Sequence, residues 1–361
     1  MDSTIARFEI AYLQYLDHQG RVASKLPPFA DDIGELVKLY RAMTLTRAFD
    51  AKAVALQRTG RLGTYASSLG QEAVAVGTAA AMMPADILVP SFREHGAQLW
   101  RGATMTELLL FWGGDERGNS FAATPHDFPN SIPVGSHPPH AVGVALACKL
   151  RHEPRAVVCV FGDGATSKGD VAEALNLAGA WTLPVVFVVT NNQWAISVPR
   201  ARQTAAETLA QKAIFGGITG EQVDGNDVVA VRHAVSRGCE RARSGQGASW
   251  IEAVTYRLSD HTTADDASRY RSDAEVSAHW AKEPLLRLRL YLQGKGAWTK
   301  QDEEILLADI NRTVNSAAEA YLQIGPQPVE SIFDFIYATA PKDILAQRAA
   351  ATSRAASLGK D

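Results

Sequence analysis

The pattern of apolar and polar residues changes period several times along the chain. From Ile33 to Arg58 apolar residues recur at intervals of three and four, which predicts one long amphipathic helix. From there to about residue 258, helical patterns alternate with short β-branched runs: DILVP, AVVCVFG, PVVFVVTNN and SWIEAVTYRL. Such alternation is typical of crossover units, in which parallel strands are covered by helices on both faces. We therefore predict an α/β fold built on a doubly wound, mostly parallel sheet.

The two ends of the chain lack this alternation. The first residues read as an arm with one short extended piece, a turn at DHQG and a loop at two prolines. Towards the other end, PLLRLRLYLQGKG and DEEILLADINRTVNSAAEAYLQIG predict further helices. Three parts follow: an N-terminal arm over residues 1–33, an α/β domain over 34–272 and a helical C-terminal region over 273–361.

Composition narrows the class of partner. The 361 residues are 46% hydrophobic and carry a formal net charge of -3, without a basic patch that would favour nucleic acid or an anionic membrane. The first twenty residues lack the pattern of a secretory signal, and no apolar run reaches the roughly 18 residues that a membrane span needs. Three widely spaced cysteines fit reduced, buried thiols. We expect a cytoplasmic protein that binds small molecules or other proteins.

One predicted strand ends in an acid between two glycines. The run AVVCVF is followed by GDGATSKG and a helical pattern, and the next strand ends in Asn191 and Asn192. Two phosphate-binding motifs fail to match. The dinucleotide fingerprint needs a third glycine where Ser167 stands, and the P-loop needs Gly-Lys-Ser/Thr, whereas Lys168 precedes its glycine.

A divalent cation accounts for the acid. Ligands of open α/β sheets bind at the carboxyl ends of the strands, where Asp163 and either Asn191 or Asn192 would meet. Carboxylate and amide oxygens are hard ligands that Mg²⁺ prefers. The cation would also attract a diphosphate that the carboxylate alone would repel, while Gly162 and Gly164 let the backbone approach it.

This pair of strand-end motifs resembles the signature of thiamin-diphosphate enzymes. RTGRLGTYASSLGQEA, SFREHG, AVGVALACK, NNQWAIS, QVDGND and HTTADDASRYR also stand in the order that they have in the alpha subunit of the 2-oxo acid dehydrogenases. The resemblance spans nearly the whole chain and implies the thiamin-diphosphate-binding fold. Within the family it is strongest to bacterial pyruvate dehydrogenase, then to the branched-chain 2-oxo acid enzyme, then to acetoin dehydrogenase.

The resemblance implies roles for individual residues. Asp163, Asn192 and the backbone carbonyl of Trp194 would bind magnesium. Arg93 would bond to phosphate, and His261 would touch the diphosphate and face the reaction centre. Ile132 would contact the aminopyrimidine by its backbone, and Val134 would be the apolar wedge that bends the cofactor. The full cofactor-binding set is Phe92, Arg93, Ile132, Val134, Gly162, Asp163, Gly164, Ala165, Asn192, Trp194 and His261.

The catalytic candidates are His261, Arg93 and His137. His137, with His140, falls in a Pro-, His- and Gly-rich stretch from Thr124 to His140 that we predict to be a long loop, and imidazole titrates near neutrality. Plainer alternatives stay open for two of the three candidates: a surface ion pair for Arg93, and a turn cap for His261.

Two acids are assigned a structural role, and a third is set aside. Asp265 and Asp266 are expected to order their loop by accepting bonds from Arg269 or Arg271. Glu72 is not assigned the activating role, because in this family that glutamate comes from a separate beta subunit.

The implied activity is oxidative decarboxylation of a 2-oxo acid, with transfer of the acyl group to a lipoyl group. The implied cofactors are thiamin diphosphate and Mg²⁺. The implied partners are a beta subunit, in a heterotetramer of two alpha and two beta subunits, and a lipoyl-bearing acyltransferase. Alternatives from other classes are a nucleotide-binding protein or nicotinamide-dependent oxidoreductase, disfavoured by the failed fingerprints, and a structural partner without catalysis.

Overall fold

The computed structural model describes residues 2–358, which form eight strands and twelve α-helices. The strands are β1 (Ala11–Leu13), β2 (Ile87–Val89), β3 (Val157–Gly162), β4 (Val185–Asn191), β5 (Trp194–Ala195), β6 (Val198–Pro199), β7 (Thr219–Asp224) and β8 (Ser249–Val254). The helices are α1 (Ile33–Arg58), α2 (Glu72–Ala80), α3 (His95–Arg101), α4 (Met105–Trp112), α5 (Pro138–Leu150), α6 (Gly169–Ala180), α7 (Lys212–Phe215), α8 (Val228–Arg243), α9 (Asp273–Trp280), α10 (Pro284–Gly294), α11 (Lys300–Leu322) and α12 (Lys342–Leu358).

The main sheet has six strands, all parallel, in the order β1-β7-β8-β4-β3-β2. β5 and β6 form a separate antiparallel pair beyond the end of β4. The central strands β3 and β4 are almost wholly buried, which is why both read as continuous apolar runs. The prediction of a doubly wound, mostly parallel sheet with helices on both faces is confirmed.

Alternate residues of each strand serve two different cores. On one face, Val157, Cys159 and Phe161 pack with Phe187 and Trp250 under helices α5, α6 and α7. On the other face, the residues between them pack under α2 and α8. A third core joins α1 to α2, α8 and α10 outside that second layer. Both faces of the sheet are therefore covered, and its strand ends are the place left for a ligand.

The N-terminal arm is tied to this sheet. β1 pairs in parallel with β7 at the sheet edge. The backbone N–H groups of Tyr15 and Leu16 both donate to Asp227 Oδ2 at 2.7 Å, and Asp227 also caps the N-terminus of α8. The predicted helix over Ile33–Arg58 is confirmed as α1.

The predicted loop from Thr124 to His140 ends earlier than expected. Helix α5 begins at Pro138, so His140 lies on the helix and is exposed. Two adjacent prolines caused the error, because proline disfavours a helix interior but suits its first turn. The preceding residues to Ser136 have no helix or strand, as expected.

By internal contacts the chain divides between Ala318 and Glu319. The smaller unit contains the end of α11, the 3₁₀ turn Val329–Phe333 and α12, and within it Arg348 forms an ion pair with Asp334 at 3.1 Å. The domain boundaries given above stay predictions. Among the helices of residues 2–358, none has both the length and the apolar character that a membrane span requires.

Gly179 on α6 is expected to tolerate no side chain. A Cβ there would lie 1.8 Å from the carbonyl oxygen of Gly216, whereas a Cβ on Gly143 of α5 would meet nothing within 4 Å. We expect Gly179→Ala to lower the free energy of unfolding by about 2 kcal/mol or more. The matched Gly143→Ala should raise it by about 0.5–1 kcal/mol, because alanine is the better helix former. Denaturant titration measures both changes, and an equal effect of the two would contradict the close approach.

Candidate functional site

A cavity of about 270 Å³ opens where β3 and β4 end. Its lining contains most of the predicted cofactor-binding residues: Phe92, Arg93, Val134, Gly162, Asp163, Gly164, Ala165, Asn192, Trp194 and His261. Ser91, Ala195 and Ile196 complete the lining. Segments far apart in sequence thus meet at the carboxyl edge of the sheet, where ligands of parallel sheets bind.

Asp163 is the acid at the end of β3. It opens the short 3₁₀ turn Asp163–Ser167, and only 1% of the residue is exposed. Burial raises the pKa of its carboxyl group. Gln203 Nε2 donates to Asp163 Oδ2 at 2.6 Å. A buried carboxylate held by a neutral amide is suited to a cation that would compensate its charge.

The two asparagines that end β4 face different surroundings. Asn191 Nδ2 donates to Glu252 Oε1 at 2.6 Å, and both residues line a neighbouring cleft. Asn192 lines the cavity itself. Its Nδ2 donates to Gln71 Oε1 at 2.9 Å, and its Oδ1 accepts from Trp194 N at 3.2 Å. Of the two alternatives that the strand-end argument left open, Asn192 is therefore the one placed at the cavity.

The turn that carries Trp194 is strained. Gln193 and Ile196 have positive φ angles of 73° and 56°, in the left-handed region that is costly for residues other than glycine and most of all for a β-branched one. Arg257 holds this turn: its Nη2 donates to the Ile196 carbonyl at 2.8 Å, and its Nη1 approaches the Trp194 carbonyl at 3.4 Å. Arg200 N–H donates to the Gln193 carbonyl at 2.8 Å. The backbone carbonyl groups of the turn are thereby fixed in position.

Arg93 and His261 are bonded to each other. Arg93 Nη2 donates to His261 Nδ1 at 2.8 Å and to the His261 carbonyl at 2.6 Å, and Arg93 Nη1 donates to the Ser67 carbonyl at 2.6 Å. Burial, with repulsion from Arg257, lowers the pKa of Arg93 to about 10. Burial and both arginines lower the pKa of His261 to about 3. Since a guanidinium only donates, Nδ1 of the neutral ring is an acceptor and its proton lies on Nε2.

Phe92 supports this pair from one side. Its ring packs edge-on to His261 with centroids 6.2 Å apart, and the Arg93 guanidinium lies over it at 5.3 Å. The contact is a cation–π interaction combined with apolar packing. Phe92 thus contributes a ring face to the wall of the cavity.

Two predicted site residues lie elsewhere. Ile132 is half exposed and is not part of the cavity lining. His137 is buried beneath β3, where its Nε2 donates to the Val160 carbonyl at 2.9 Å. Its Nδ1 has no bonding partner in the described part of the chain, and burial lowers its pKa to about 4. His137 is thus a buried, neutral histidine at the N-cap of α5 and is not part of the cavity lining.

Each of the three acids kept out of the site set has a hydrogen-bond or ion-pair partner. Glu72, which was set aside, is fully buried and forms an ion pair with Arg47 at 2.8 Å. Asp265 accepts from Tyr270 Oη and from His261 N–H, the latter at 2.8 Å. Asp266 accepts from Ser268.

The expectation that Arg269 or Arg271 would donate to these aspartates is not met in the hydrogen bonds seen. Arg271 instead donates to the backbone carbonyls of Arg257 and Ser259. Arginine can donate to backbone carbonyls as well as to carboxylates. The spacing of residues in the sequence does not show which of the two acceptors an arginine will contact.

Sequence reasoning missed Arg257, Gln203 and Ile196. Arg257 is fully buried and lies three residues after β8, and its place near the end of the predicted strand run SWIEAVTYRL was an available signal. Gln203 and Ile196 reach the site from the segment after β4, whose path depends on the tertiary structure. No local pattern marks them.

The residues present fit a magnesium-bound diphosphate. A carboxylate, an amide oxygen and a turn carbonyl, from Asp163, Asn192 and Trp194, meet at one edge of the cavity. A Cβ on Gly164 would lie 2.7 Å from Ala195 Cβ, so only glycine keeps this approach open. Within residues 2–358 no three His, Cys, Asp or Glu side chains gather as a metal site, and the proposed set contains only one such side chain.

A chain of buried hydrogen bonds runs from Trp112 to Asp50, and all its bonds donate in the same direction. Trp112 Nε1 donates to His95 Nε2 at 3.0 Å, and His95 Nδ1 meets Tyr65 Oη at 3.2 Å. Tyr65 Oη donates to Asp50 Oδ1 at 3.0 Å. Because the indole N–H can only donate, each later member must pass its own proton onward, and the chain ends at the carboxylate. Burial lowers the pKa of His95 to about 3, so the ring is neutral.

Comparison with known proteins places most of the chain in one group. Residues 40–328 match the family described as the dehydrogenase E1 component. The alpha subunit of 3-methyl-2-oxobutanoate dehydrogenase of Mycobacterium tuberculosis (strain ATCC 25618 / H37Rv) is 44% identical over 310 residues, 86% of this chain and 84% of the relative. The alpha subunit of the pyruvate dehydrogenase E1 component of Staphylococcus aureus (strain N315) is 37% identical over 350 residues, 96% of this chain and 94% of the relative.

His95 is expected to contribute a pH-dependent share of stability. Its pKa is about 3 when folded and 6.5 ordinarily, so below about pH 6.5 the unfolded chain takes up a proton that the folded chain refuses. That share is therefore full above pH 6.5 and is lost as the pH falls towards 3. The melting temperature of the wild type relative to His95→Gln should decrease between about pH 7.5 and about pH 5. A difference that stays constant over this interval would show that His95 takes up its proton as readily in the folded chain as in the unfolded one, which would contradict the lowered pKa.

Proposed function

The chain belongs to the dehydrogenase E1 component family, and from this premise we propose that it is a 2-oxo acid dehydrogenase alpha subunit that binds thiamin diphosphate with Mg²⁺. One observation carries the assignment to this cavity. The buried Asp163 at the end of β3 shares the cavity with Asn192, the Trp194 turn, Arg93 and His261. Side chains that would bind the metal and side chains that would bind an anion therefore share the strand ends.

Each group has a role that its surroundings support. Asp163, Asn192 and the Trp194 carbonyl would hold the cation. Arg93, kept charged at neutral pH with a pKa of about 10, would bind an anionic oxygen. His261 would donate from Nε2–H rather than take up a proton, because its Nδ1 is occupied by Arg93 and its pKa is about 3. When bound, thiamin diphosphate supplies the carbanion-stabilising chemistry that lets a 2-oxo acid lose carbon dioxide.

A beta subunit would complete the site. Of the described residues that line the cavity, Asp163 is the only one with a carboxylate, and a partner subunit would supply the second acid that activates the cofactor. Two apolar side chains of the lining, Val134 and Ile196, are 44% and 54% exposed. Exposed apolar groups in one region favour burial against a partner. We propose that two alpha and two beta subunits assemble, and that they act on a lipoyl-bearing acyltransferase.

The substrate is a short 2-oxo acid. We propose a branched-chain acid such as 3-methyl-2-oxobutanoate, since the relative named for that substrate is 44% identical. Pyruvate, the substrate predicted from the sequence, is the second candidate, since the relative named for it matches over 96% of this chain. A cytoplasmic location is part of the proposal and is supported by three free, buried cysteines, Cys148, Cys159 and Cys239.

Removing the carboxylate of Asp163 tests the metal site. We expect Asp163→Ala to weaken Mg²⁺-dependent binding of thiamin diphosphate by roughly 100-fold or more, because even the outer-shell partners of metal ligands change affinity by roughly 10- to 100-fold. Titration of the alpha–beta complex with cofactor, with and without Mg²⁺, measures the change. Asp170→Ala, at an exposed aspartate paired with Lys168, is the matched control and should bind normally. Unchanged affinity in Asp163→Ala would remove the metal assignment.

The substrate is tested with the chain coexpressed with its beta subunit. We expect the complex to decarboxylate 3-methyl-2-oxobutanoate with a kcat/KM at least about tenfold above that for pyruvate, a margin that corresponds to about 1.4 kcal/mol of transition-state binding. The alpha chain alone should be inactive on both. A preference for pyruvate selects the second candidate, and full activity without a beta subunit contradicts the shared site.

A further inference from the structure

We propose that Asp50, a residue of α1 outside the cavity, is a positioning residue for Arg93 and His261. Asp50 is 3% exposed and does not line the cavity. Its influence would pass through the segment Tyr65–Ser68, which lies between α1 and α2. The proposal rests on the proposed function, because it assigns Asp50 to the reaction that Arg93 and His261 serve.

Asp50 holds the segment Tyr65–Ser68 by four hydrogen bonds. Its Oδ1 accepts from Tyr65 Oη at 3.0 Å, from Ser68 N at 2.7 Å and from Ser68 Oγ at 3.2 Å. Its Oδ2 accepts from Ser67 Oγ at 2.6 Å. All four partners are donors to one buried carboxylate, so the carboxylate fixes both the backbone and the side chains of the segment.

The same segment holds the catalytic pair. The Ser67 carbonyl accepts from Arg93 Nη1 at 2.6 Å, and the other end of that guanidinium donates to His261. Tyr65 also exchanges two bonds with Thr263: its N–H donates to Thr263 Oγ1 and its carbonyl accepts from Thr263 N–H, both at 2.9 Å. The segment therefore contacts the loop of His261 at one end and Arg93 at the other.

The direction of the bonds explains why an acid is needed. The chain from Trp112 through His95 and Tyr65 can only deliver a proton towards Asp50, so Oδ1 must accept. An asparagine would keep one acceptor oxygen but would present an NH₂ group to Ser67 Oγ. Ser67 Oγ would then accept from that NH₂ and turn its own proton elsewhere, so the charge-assisted bond beside the carbonyl that holds Arg93 would be replaced by a weaker neutral one.

Asp86 provides a matched control. It is 1% exposed and accepts from Met83 N at 2.7 Å, Ala156 N at 2.8 Å and Arg243 Nη1 at 2.6 Å. It lies just before β2, at the amino edge of the sheet and away from the cavity. Asp86→Asn should therefore reproduce the loss of a buried, bonded carboxylate without touching Arg93.

The experiment uses the alpha–beta complex with Asp50→Asn or Asp86→Asn. We expect Asp50→Asn to raise the Kd of thiamin diphosphate, measured with Mg²⁺, by about tenfold, the scale at which lost support of a binding group is usually felt. Asp86→Asn should leave the Kd within about twofold while lowering the melting temperature by a similar amount or more. Equal Kd values for the two variants would overturn the proposal.

Coupling to Arg93 separates positioning from general destabilisation. In an Arg93→Lys background the fork that contacts Ser67 is gone, so Asp50→Asn should raise the Kd by less than about twofold further. A full tenfold increase in that background would also overturn the proposal. If Asp50→Asn does not fold, Ser67→Ala takes its place, and it is expected to show the same loss of affinity and the same coupling.

Crystal structures of the two variants without cofactor give a readout independent of function. The Arg93 guanidinium should be displaced in Asp50→Asn and unmoved in Asp86→Asn, and an unmoved Arg93 in both would refute the positioning role. A wild-type complex that binds no thiamin diphosphate would defeat the proposed function, while the position of Arg93 would still decide whether Asp50 fixes it.

Discussion

Two arginine side chains, Arg93 and Arg257, are held out of water beside each other at the carboxyl edge of the sheet. Burial and repulsion from Arg257 lower the pKa of Arg93, and burial and repulsion from Arg271 lower the pKa of Arg257. A buried guanidinium needs acceptors to offset the loss of water, and here they are mostly the backbone carbonyls of Ser67, Ile196 and His261. The loops that form the cavity thus place their backbone carbonyl groups where these two guanidinium groups can donate to them. The neutral His261 follows from the same constraint, because two neighbouring positive charges oppose a third.

The layered fold places this edge but does not determine its details. The parallel register of β3, β4 and β8 brings Asp163, Asn192 and Arg257 to one side of the molecule. Helix α1, which forms part of the third core, also carries Asp50, and Asp50 contacts the site through the segment Tyr65–Ser68. The segment Tyr65–Ser68, between α1 and α2, therefore connects the charged groups at the strand ends to the third core.

Much of this arrangement could be predicted from residue patterns. Helix α1 is recognisable from the spacing of its apolar residues, and β3 and β4 from their continuous apolar runs. The Asp163 and Asn192 motifs lie directly after strands, where position follows from topology. His137 and Ile132 could not be placed in this way. Whether a histidine near two prolines points into a cavity or under a strand depends on where the helix begins, which residues close in sequence do not reveal. Gln203 acts through contacts between distant segments, which have no local signature.

The strained turn at Gln193 and Ile196 has a consequence for how a ligand would be recognised. Left-handed conformations at such residues cost of order 1–2 kcal/mol each, and the bonds from Arg257 and Arg200 offset that cost when the chain folds. A cation arriving at the Trp194 carbonyl would then meet a preorganised ligand and would not have to order the turn itself. The fold thus supplies part of the affinity at this edge, because folding already holds the carbonyl in place. Substitutions that relax the turn would make the folded chain more stable and its binding of a cation weaker.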